Sequence, residues 1–391
     1  MTRRLVPALL AGTALAAGTA LAAPSQAALP APVLSSYIVT LSPAAAPAAV
    51  AALTRPLGGR IGFVYTHALN GFSVQLPSAA VTALRLLPGV VAVEPDRILH
   101  ADAAQINPPS YGLDRIDQRA LPLSKSYTST ATGAGVTAYV IDTGITYGHR
   151  DFGGRATPGF DAITKGGGAV DCNGHGTHVS GTIGGTTYGV AKDVRLVGVR
   201  VLDCSGSGAT SAVVAGIDWV TGNHQAGVPA VANMSLGGSA DTALDAAVNR
   251  AINDGITFGV AAGNDGGFVT DLIGASDACN GSPSRVPNAL TVAATDSSDA
   301  RATYSNRGAC VDLWAPGTNI VSDWYTSSTA TNTISGTSMA TPHVVGVAAL
   351  LLSSGYQSPA AVASALIAGS TKNVVTNAGS GTPNRLLFTS Y

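Results

Sequence analysis

Three glycine-bearing strings carry the side chains that could do chemistry together. They are Asp142 in Val140-Ile141-Asp142-Thr143-Gly144, His175 in Asn173-Gly174-His175-Gly176-Thr177-His178, and Ser338 in Gly336-Thr337-Ser338-Met339-Ala340-Thr341-Pro342-His343. A serine hydroxyl is nearly inert at neutral pH. It becomes a nucleophile when an imidazole stands in hydrogen-bond reach and a third group fixes the tautomer of that imidazole, so these residue types point to acyl transfer through a covalent intermediate. Any one of them alone beside glycine reads as a turn residue. The combination carries the reading.

The elements that must position them are legible in the same stretches. Residues 136–141 are a continuous apolar and β-branched run, the mark of a buried parallel strand, and Asp142 follows at its carboxyl end. Ligand sites of open α/β sheets collect at that edge. His175 precedes the run 179–183, read as the opening of a buried, glycine-tolerant helix. Ser338 opens a second helix over 338–353, with Ala340, Val344, Val347, Ala348 and Leu351 at helical spacing. A nucleophile there has unpaired backbone N–H groups and the positive end of the helix dipole beside it. Pro342 is expected within the first turn, where a missing N–H costs little. Further strands are expected at 194–202, 230–235, 256–262 and 290–294, and further helices at 211–223 and 242–254. This alternation predicts an α/β fold of three layers, a mostly parallel sheet with helices on both faces.

Order and local shape exclude two rival serine chemistries. An α/β-hydrolase runs serine, acid, histidine around G-x-S-x-G, and a chymotrypsin-like enzyme runs histidine, aspartate, serine on β-barrels. Here the order is acid, base, nucleophile, and Gly336-Thr337-Ser338-Met339-Ala340 lacks the second glycine.

The chain has 391 residues, 46% apolar, with 47 glycines, enough for one large domain and a smaller one. Only 11% are charged and the formal net charge is −1, which argues against nucleic acid as a partner because no basic stripe is present. Arg3 and Arg4 precede an apolar run over 5–23, with small residues near Ala22 and over 25–27, the pattern of a cleaved secretion signal spanning 1–28. No later segment is apolar for the length of a membrane span, so stable membrane association is not expected. Residues 37–41, 61–66, 71–76 and 90–94 read as strands and 47–57 and 78–87 as helices, a βαββαβ order that predicts a small ferredoxin-like α+β unit. Four cysteines, all beyond residue 108, fit an oxidising compartment and allow three pairings. Metal binding by Cys172, His175 and His178 is a competing use of the first cysteine.

The strings around Asp142, His175 and Ser338 resemble the signatures of the subtilase family, and within it the proteinase K branch and its aqualysin-like secreted enzymes. The likeness runs over 104–391. It implies a secreted, extracellular serine endopeptidase, an Asp-His-Ser triad, and Asn264, at the end of the strand-like Gly259-Val260-Ala261-Ala262-Gly263-Asn264, as oxyanion donor beside the Ser338 N–H. It implies two extended edges that hold a protein or peptide substrate as an added strand, from which Gly206, Ser207, Ser235, Leu236 and Gly237 contribute. Ser235, Leu236, Gly237, Ala261, Ala262 and Gly263 then wall a roomy apolar pocket for an aromatic or aliphatic residue before the scissile bond, with no buried carboxylate to demand Lys or Arg. The unit at 29–103, which includes Leu69-Asn70-Gly71-Phe72-Ser73, resembles the family's inhibitor-type propeptide, a folding assistant and intramolecular inhibitor removed by cleavage in the linker 100–108, near Ala103. The resemblance pairs Cys172 with Cys204 and Cys279 with Cys310. Closing loops of about 30 residues stabilises by roughly 3.7 kcal/mol each in the chain-entropy model. Structural calcium is implied at Asp312 with the carbonyls of Pro287 and Ala289, and at a second site with Asp114, Asp117 and Gln118, where Ser124 and Ser126 replace an acid and an amide of some relatives. The competing reading of Asp114 and Asp117 is surface pairing with Arg115 and Arg119. A monomer is the default state. A catalytically silent binding protein would be expected to have lost a triad member, and a simple esterase would not need the extended edges.

Overall fold

A computed structural model of the chain describes residues 34–67, 69–96, 103–267 and 276–390. The chain divides into two units, Met1–Leu99 and His100–Tyr391. The expected secretion signal over 1–28 and linker residues 100–102 lie outside the described residues.

In the first unit β1 (Leu34–Leu41), α1 (Pro47–Ala52), β2 (Arg60–Tyr65), β3 (Gly71–Pro77), α2 (Val81–Arg85) and β4 (Val90–Pro95) follow one another in the anticipated βαββαβ order. The strands form an antiparallel sheet in the order β2-β3-β1-β4. Val39, Leu41, Phe72, Val74, Leu76 and Leu84 make its core. Both helices are shorter than the apolar pattern suggested. After Ala52 the chain turns and resumes as a single 3-10 turn, Arg55–Leu57, because Pro56 supplies no N–H and disfavours a helical Arg55. The second helix opens as a 3-10 turn, Ser78–Ala80, behind Pro77.

The second unit is built on nine strands: β5 (Thr137–Asp142), β6 (Ala156–Asp161), β7 (Arg195–Arg200), β8 (Ala230–Met234), β9 (Thr257–Ala261), β10 (Leu290–Thr295), β11 (Leu313–Pro316), β12 (Thr371–Lys372) and β13 (Arg385–Leu386). Their order is β12-β13-β11-β10-β9-β8-β5-β7-β6, parallel throughout except for the β12–β13 edge pair. After β5 the chain goes to one edge with β6, fills the place between with β7, then crosses with β8 to the other side of β5. That reversal leaves a crevice beyond the carboxyl ends of β5 and β8, where Asp142 and Ser235 sit.

Side chains alternate along β5 because successive residues of a strand face opposite ways. Ala138 and Val140 join a core with Leu113 of α3 (Tyr111–Ile116) and with Val179, Ile183, Val344 and Val347, carried by α4 (His175–Gly184) and α7 (Thr337–Ser353). Tyr139 and Ile141 join a second core with Val213, Ile217, Val248 and Ile252, carried by α5 (Thr210–Asn223) and α6 (Thr242–Asn253). The result is three layers. Helix α7 is apolar on every side and correspondingly buried from Met339 through Leu352. It begins one residue earlier than anticipated, at Thr337, so Pro342 is its sixth residue, past the first turn.

Helix α4 lies against a hairpin of Ile320–Asp323 and Thr331–Ile334, where Ser322 Oγ donates to the His178 carbonyl at 2.8 Å. The adjacent Asp323 carboxyl is fully buried with neither oxygen bonded to an N–H or O–H donor. Burial, and next the neighbouring Asp151 carboxylate, push it up to about 8, against the weaker pull of Arg155. His149 Nδ1 lies 3.4 Å away. A carboxyl raised in the folded state binds a proton that the unfolded chain has released, so stability falls as pH rises from about 4 to about 8 and levels off above. Asp323→Asn is expected to raise the melting temperature by several degrees at pH 9 and to change it little at pH 4, measured by calorimetry; an equal shift at both pH values would contradict the buried-acid assignment.

Candidate active site

The place where the end of β5 meets the start of α4 is organised by the carboxylate of Asp171. Its Oδ1 accepts from Thr143 Oγ1, Asn173 N and Gly174 N, each at 2.9 Å, and its Oδ2 accepts from Thr177 N at 2.9 Å and Thr177 Oγ1 at 2.5 Å. The first N–H groups of α4 have no helical acceptors. Asn173 Oδ1 takes the N–H of His175, Thr143 Oγ1 takes that of Gly176 and Asp171 takes that of Thr177. The helix start is thereby fixed to the residue after Asp142. Gly176 permits the contact, since a Cβ there would lie 2.1 Å from the Gly144 carbonyl oxygen.

Asp142 and His175 meet across this junction. His175 Nδ1 lies 2.8 Å from Asp142 Oδ1 and 2.9 Å from Oδ2, and Asp142 Oδ1 also accepts the Thr143 N–H at 2.7 Å. A carboxylate can only accept, so Nδ1 carries the proton and Nε2 is the basic position of the neutral ring. Burial opposes the imidazolium, but Asp142, with a smaller contribution from Asp171, outweighs it and raises His175 above the usual histidine value. The Asp142 side chain is fully buried while that of His175 keeps 24% of its surface exposed. His178, one turn along, is held at about 3 by burial and faces the Ile320 carbonyl through Nε2 at 3.1 Å. With Cys172 oxidised as well, the competing metal cluster of Cys172, His175 and His178 has lost its thiolate.

Ser338 stands at the second position of α7. Pro342 has no N–H, so the Ser338 carbonyl lacks its helical donor, and Ser235 Oγ donates to it at 2.8 Å instead. The Ser338 hydroxyl in turn donates to the Ser235 carbonyl at 3.1 Å. It makes no hydrogen bond to His175. Asn264 Oδ1 accepts from Thr337 N at 2.9 Å and Thr337 Oγ1 at 3.0 Å, which fixes the amide and leaves its NH2 group outward. The ideal Cβ position of Gly336 lies 3.6 Å from Ser338 N and 3.7 Å from Asn264 Nδ2, so two N–H donors flank one space that the glycine keeps open.

Two cavities share Leu236, Gly237, Gly238 and Ser239 as their common wall. One, of about 570 Å³, reaches Ala261, Ala262, Gly263, Asn264 and Ser338; the other, of about 740 Å³, reaches His175, Gly206, Ser207 and Ser235. Asp265 and Asp277 also border the first, which the sequence reading did not include. Asp265 Oδ2 is held by Asn306 Nδ2 at 3.0 Å, and Asp277 Oδ1 caps Cys279 N at 2.9 Å.

The disulfides are Cys172–Cys204 and Cys279–Cys310, the pairing that the resemblance implied. Of the calcium candidates, Asp312 precedes β11 and its Oδ2 accepts from Thr291 N at 2.9 Å, which puts the carboxylate two residues along from Ala289 on the neighbouring strand. Burial raises it to about 6. Asp114 accepts from Ser124 N, Ser124 Oγ and Lys125 N, and Gln118 Oε1 also accepts from Ser124 N. Asp117 Oδ2 accepts from Thr128 N, whereas its Oδ1 is buried without a partner, and burial raises the group to about 6. Surface pairing does not explain these acids, because Arg115 is buried against Asp299 at 2.7 Å and Arg119 reaches the Gly369 carbonyl and the Phe388 ring. No group of three or more His, Cys, Asp or Glu able to hold a metal occurs among the described residues, so any cation here would lean on amide and carbonyl oxygens.

Residues 133–386 match the model of the subtilase family. The chain belongs to the subtilase family. Residues 36–102 match peptidase inhibitor I9, which makes the first unit of this subtilase an inhibitor-type propeptide. An extracellular serine proteinase of Thermus sp. (strain Rt41A) is 59% identical over 335 residues, 85% of this chain and 79% of that protein. Alkaline serine exoprotease A of Vibrio alginolyticus is 50% identical over 332 residues, 83% of this chain and 59% of that protein. The crystal structure of a cold-adapted subtilisin-like serine proteinase aligns with a TM-score of 0.67 at 53% identity, covering 71% of this chain and 97% of that one. The subtilase assignment makes the chain a serine endopeptidase. Asp171, Thr143 and Asn173, which place the imidazole of this subtilase, were missed by the sequence reading; the available signal was an acid four residues ahead of the candidate base.

Proposed function

We propose that this subtilase is a secreted endopeptidase that cleaves protein substrates through an Asp142-His175-Ser338 triad and an acyl-enzyme. The observation that carries the reading is the buried Asp142–His175 pair, whose His175 lines a cavity that shares its wall of Leu236, Gly237, Gly238 and Ser239 with the one that Ser338 lines. To attack, the Ser338 hydroxyl leaves the Ser235 carbonyl and turns to Nε2, a contact that often forms only in the substrate complex. His175 takes the proton, Asp142 steadies the imidazolium, and the Ser338 N–H and Asn264 NH2 receive the oxyanion. His175 then protonates the leaving amine and water repeats the cycle. Backbone of the substrate pairs with the edges at 204–208 and 234–238, and the small uncharged wall of Ser235, Leu236, Gly237, Ala261, Ala262 and Gly263 favours an aromatic or aliphatic residue before the scissile bond.

The same reading covers maturation and metal. A signal over 1–28 directs export, the propeptide over 29–103 assists folding and inhibits, and the enzyme cuts its own linker near Ala103. Ca2+ would be held by Asp312 with the carbonyls of Pro287 and Ala289, and by Asp117 with Asp114 and Gln118, where the unpartnered Asp117 oxygen supports the fit. It would neutralise buried acids and take no part in acyl transfer.

Casein digested by wild type and by Ser338→Ala, with products read by mass spectrometry, tests the catalytic claim. Loss of about six orders of magnitude in kcat and an unprocessed precursor in a protease-free host are expected; a variant that still cleaves or matures normally overturns it. For the metal, calcium at roughly 100 times Kd is expected to add about 2.7 kcal/mol of stability, read as a rise in melting temperature, and Asp312→Ala to remove most of that gain. Equal melting with calcium and with chelator would contradict it.

A further inference from the structure

The guanidinium of Arg200 is buried against the first disulfide. Its Nη2 lies 3.1 Å from Cys172 Sγ and 3.6 Å from Cys204 Sγ, while Nη1 is 3.6 Å from Asp161 Oδ2 and Nε donates to the Leu202 carbonyl at 3.4 Å. Cys204 is exposed and Cys172 is half-buried. A cation in contact with a sulfur favours its thiolate, and thiol–disulfide exchange runs faster when the leaving sulfur is the better thiolate. The two sulfurs are thus unequal: the reachable one is Cys204, and the one closer to Arg200 is Cys172. The second disulfide has a different setting. Neither Cys279 nor Cys310 is exposed, and Cys310 packs on an apolar cluster with Val311 and Trp314, surroundings that disfavour a thiolate.

We propose that Cys172–Cys204 is a thiol-sensitive clamp on the substrate cleft, opened by attack of an external thiolate on Cys204 Sγ with Cys172 leaving as a thiolate beside Arg200. A bond forms between the incoming sulfur and Cys204, the Cys172–Cys204 bond breaks, and its electron pair stays on Cys172. A second thiolate attacks the incoming sulfur, releases the oxidised small-molecule disulfide and leaves Cys204 reduced. Two thiols are oxidised and one protein disulfide is reduced. The reductant class is a small thiol or dithiol.

The consequence follows from what the disulfide joins. Cys172 lies three residues before His175, and Cys204 begins the edge that lines the cleft through Ser205, Gly206 and Ser207. Apart from the disulfide, Asn173 Nδ2 to the Cys204 carbonyl at 3.1 Å ties that edge to the start of α4. The edge itself keeps its turn, because Asp203 Oδ1 holds Ser205 N, Ser205 Oγ and Ser207 N. The Asp142–His175 pair is held separately through Asp171 and Thr143. Opening the clamp therefore loosens substrate binding more than chemistry, a step that rests on the substrate-edge reading given under Proposed function.

The test exposes the mature enzyme to dithiothreitol and to glutathione, quenches with iodoacetamide, and maps labelled cysteines by mass spectrometry over time. Cys172 and Cys204 are expected to label about tenfold faster than Cys279 and Cys310, and Arg200→Gln to slow that pair severalfold while leaving the other unchanged. Turnover of a peptide anilide by the partly reduced enzyme should show KM rising more than kcat falls. Labelling of Cys279 and Cys310 first, or of both pairs together, overturns the proposal, as does an Arg200→Gln rate equal to wild type. Should Arg200→Gln not fold, the wild-type order decides alone. The labelling reports on the clamp whether or not the chain cleaves peptides, so failure of the catalytic reading removes only the kinetic arm, and failure of the labelling order leaves the catalytic reading standing.

Discussion

The carboxylate of Asp171 is the constraint on which the candidate site depends. One buried acid accepts five hydrogen bonds that would otherwise leave a loop hydroxyl, a helix hydroxyl and three backbone N–H groups to compete for water. A charged acceptor is worth more than a neutral one, and a buried unmet donor is costly, so the junction between the end of β5 and the start of α4 has essentially one arrangement. That arrangement fixes the imidazole against the Asp142 carboxylate, which itself also accepts the Thr143 N–H.

The nucleophile's side is held by a different device. Pro342 removes a helical donor from the Ser338 carbonyl, and Ser235, at the end of the strand that follows the sheet's reversal, replaces it. The same residue accepts the Ser338 hydroxyl. Strand end and helix start are thus joined twice at the residue that must react, while the Ser338 N–H stays unbonded beside the Asn264 amide. Rigidity comes from the two cores packed on opposite faces of the sheet, since both helix starts emerge from the same apolar layer.

Much of this was legible in the sequence where burial dominates. Strands such as Thr137–Asp142 and Leu290–Thr295 are buried almost throughout and rich in apolar and β-branched residues because both faces are covered, and a run of that kind has few alternatives. Helix boundaries were less legible where proline acts within the pattern: Pro56 divides what periodicity joined over 47–57, and Pro342 sits deeper in α7 than a first-turn reading allows. The acid, base and hydroxyl could be named from residue type and context, but Asp171 could not. Its role is to accept hydrogen bonds from backbone brought close only by the fold, and hydropathy carries no trace of that. Likewise the aspartates bordering the cleft at 265 and 277 come from loops whose approach to Leu236 is a tertiary event.

The most direct measurement is labelling of the mature enzyme with a fluorophosphonate across a pH series, in wild type and in His175→Ala. The expected result is a single adduct on Ser338. Its rate should rise with pH through a midpoint above the ordinary histidine value, because Asp142 favours the imidazolium, and should collapse in the variant. An adduct on another residue, or a rate on Ser338 that is indifferent to His175, would contradict the coupling of hydroxyl, imidazole and carboxylate.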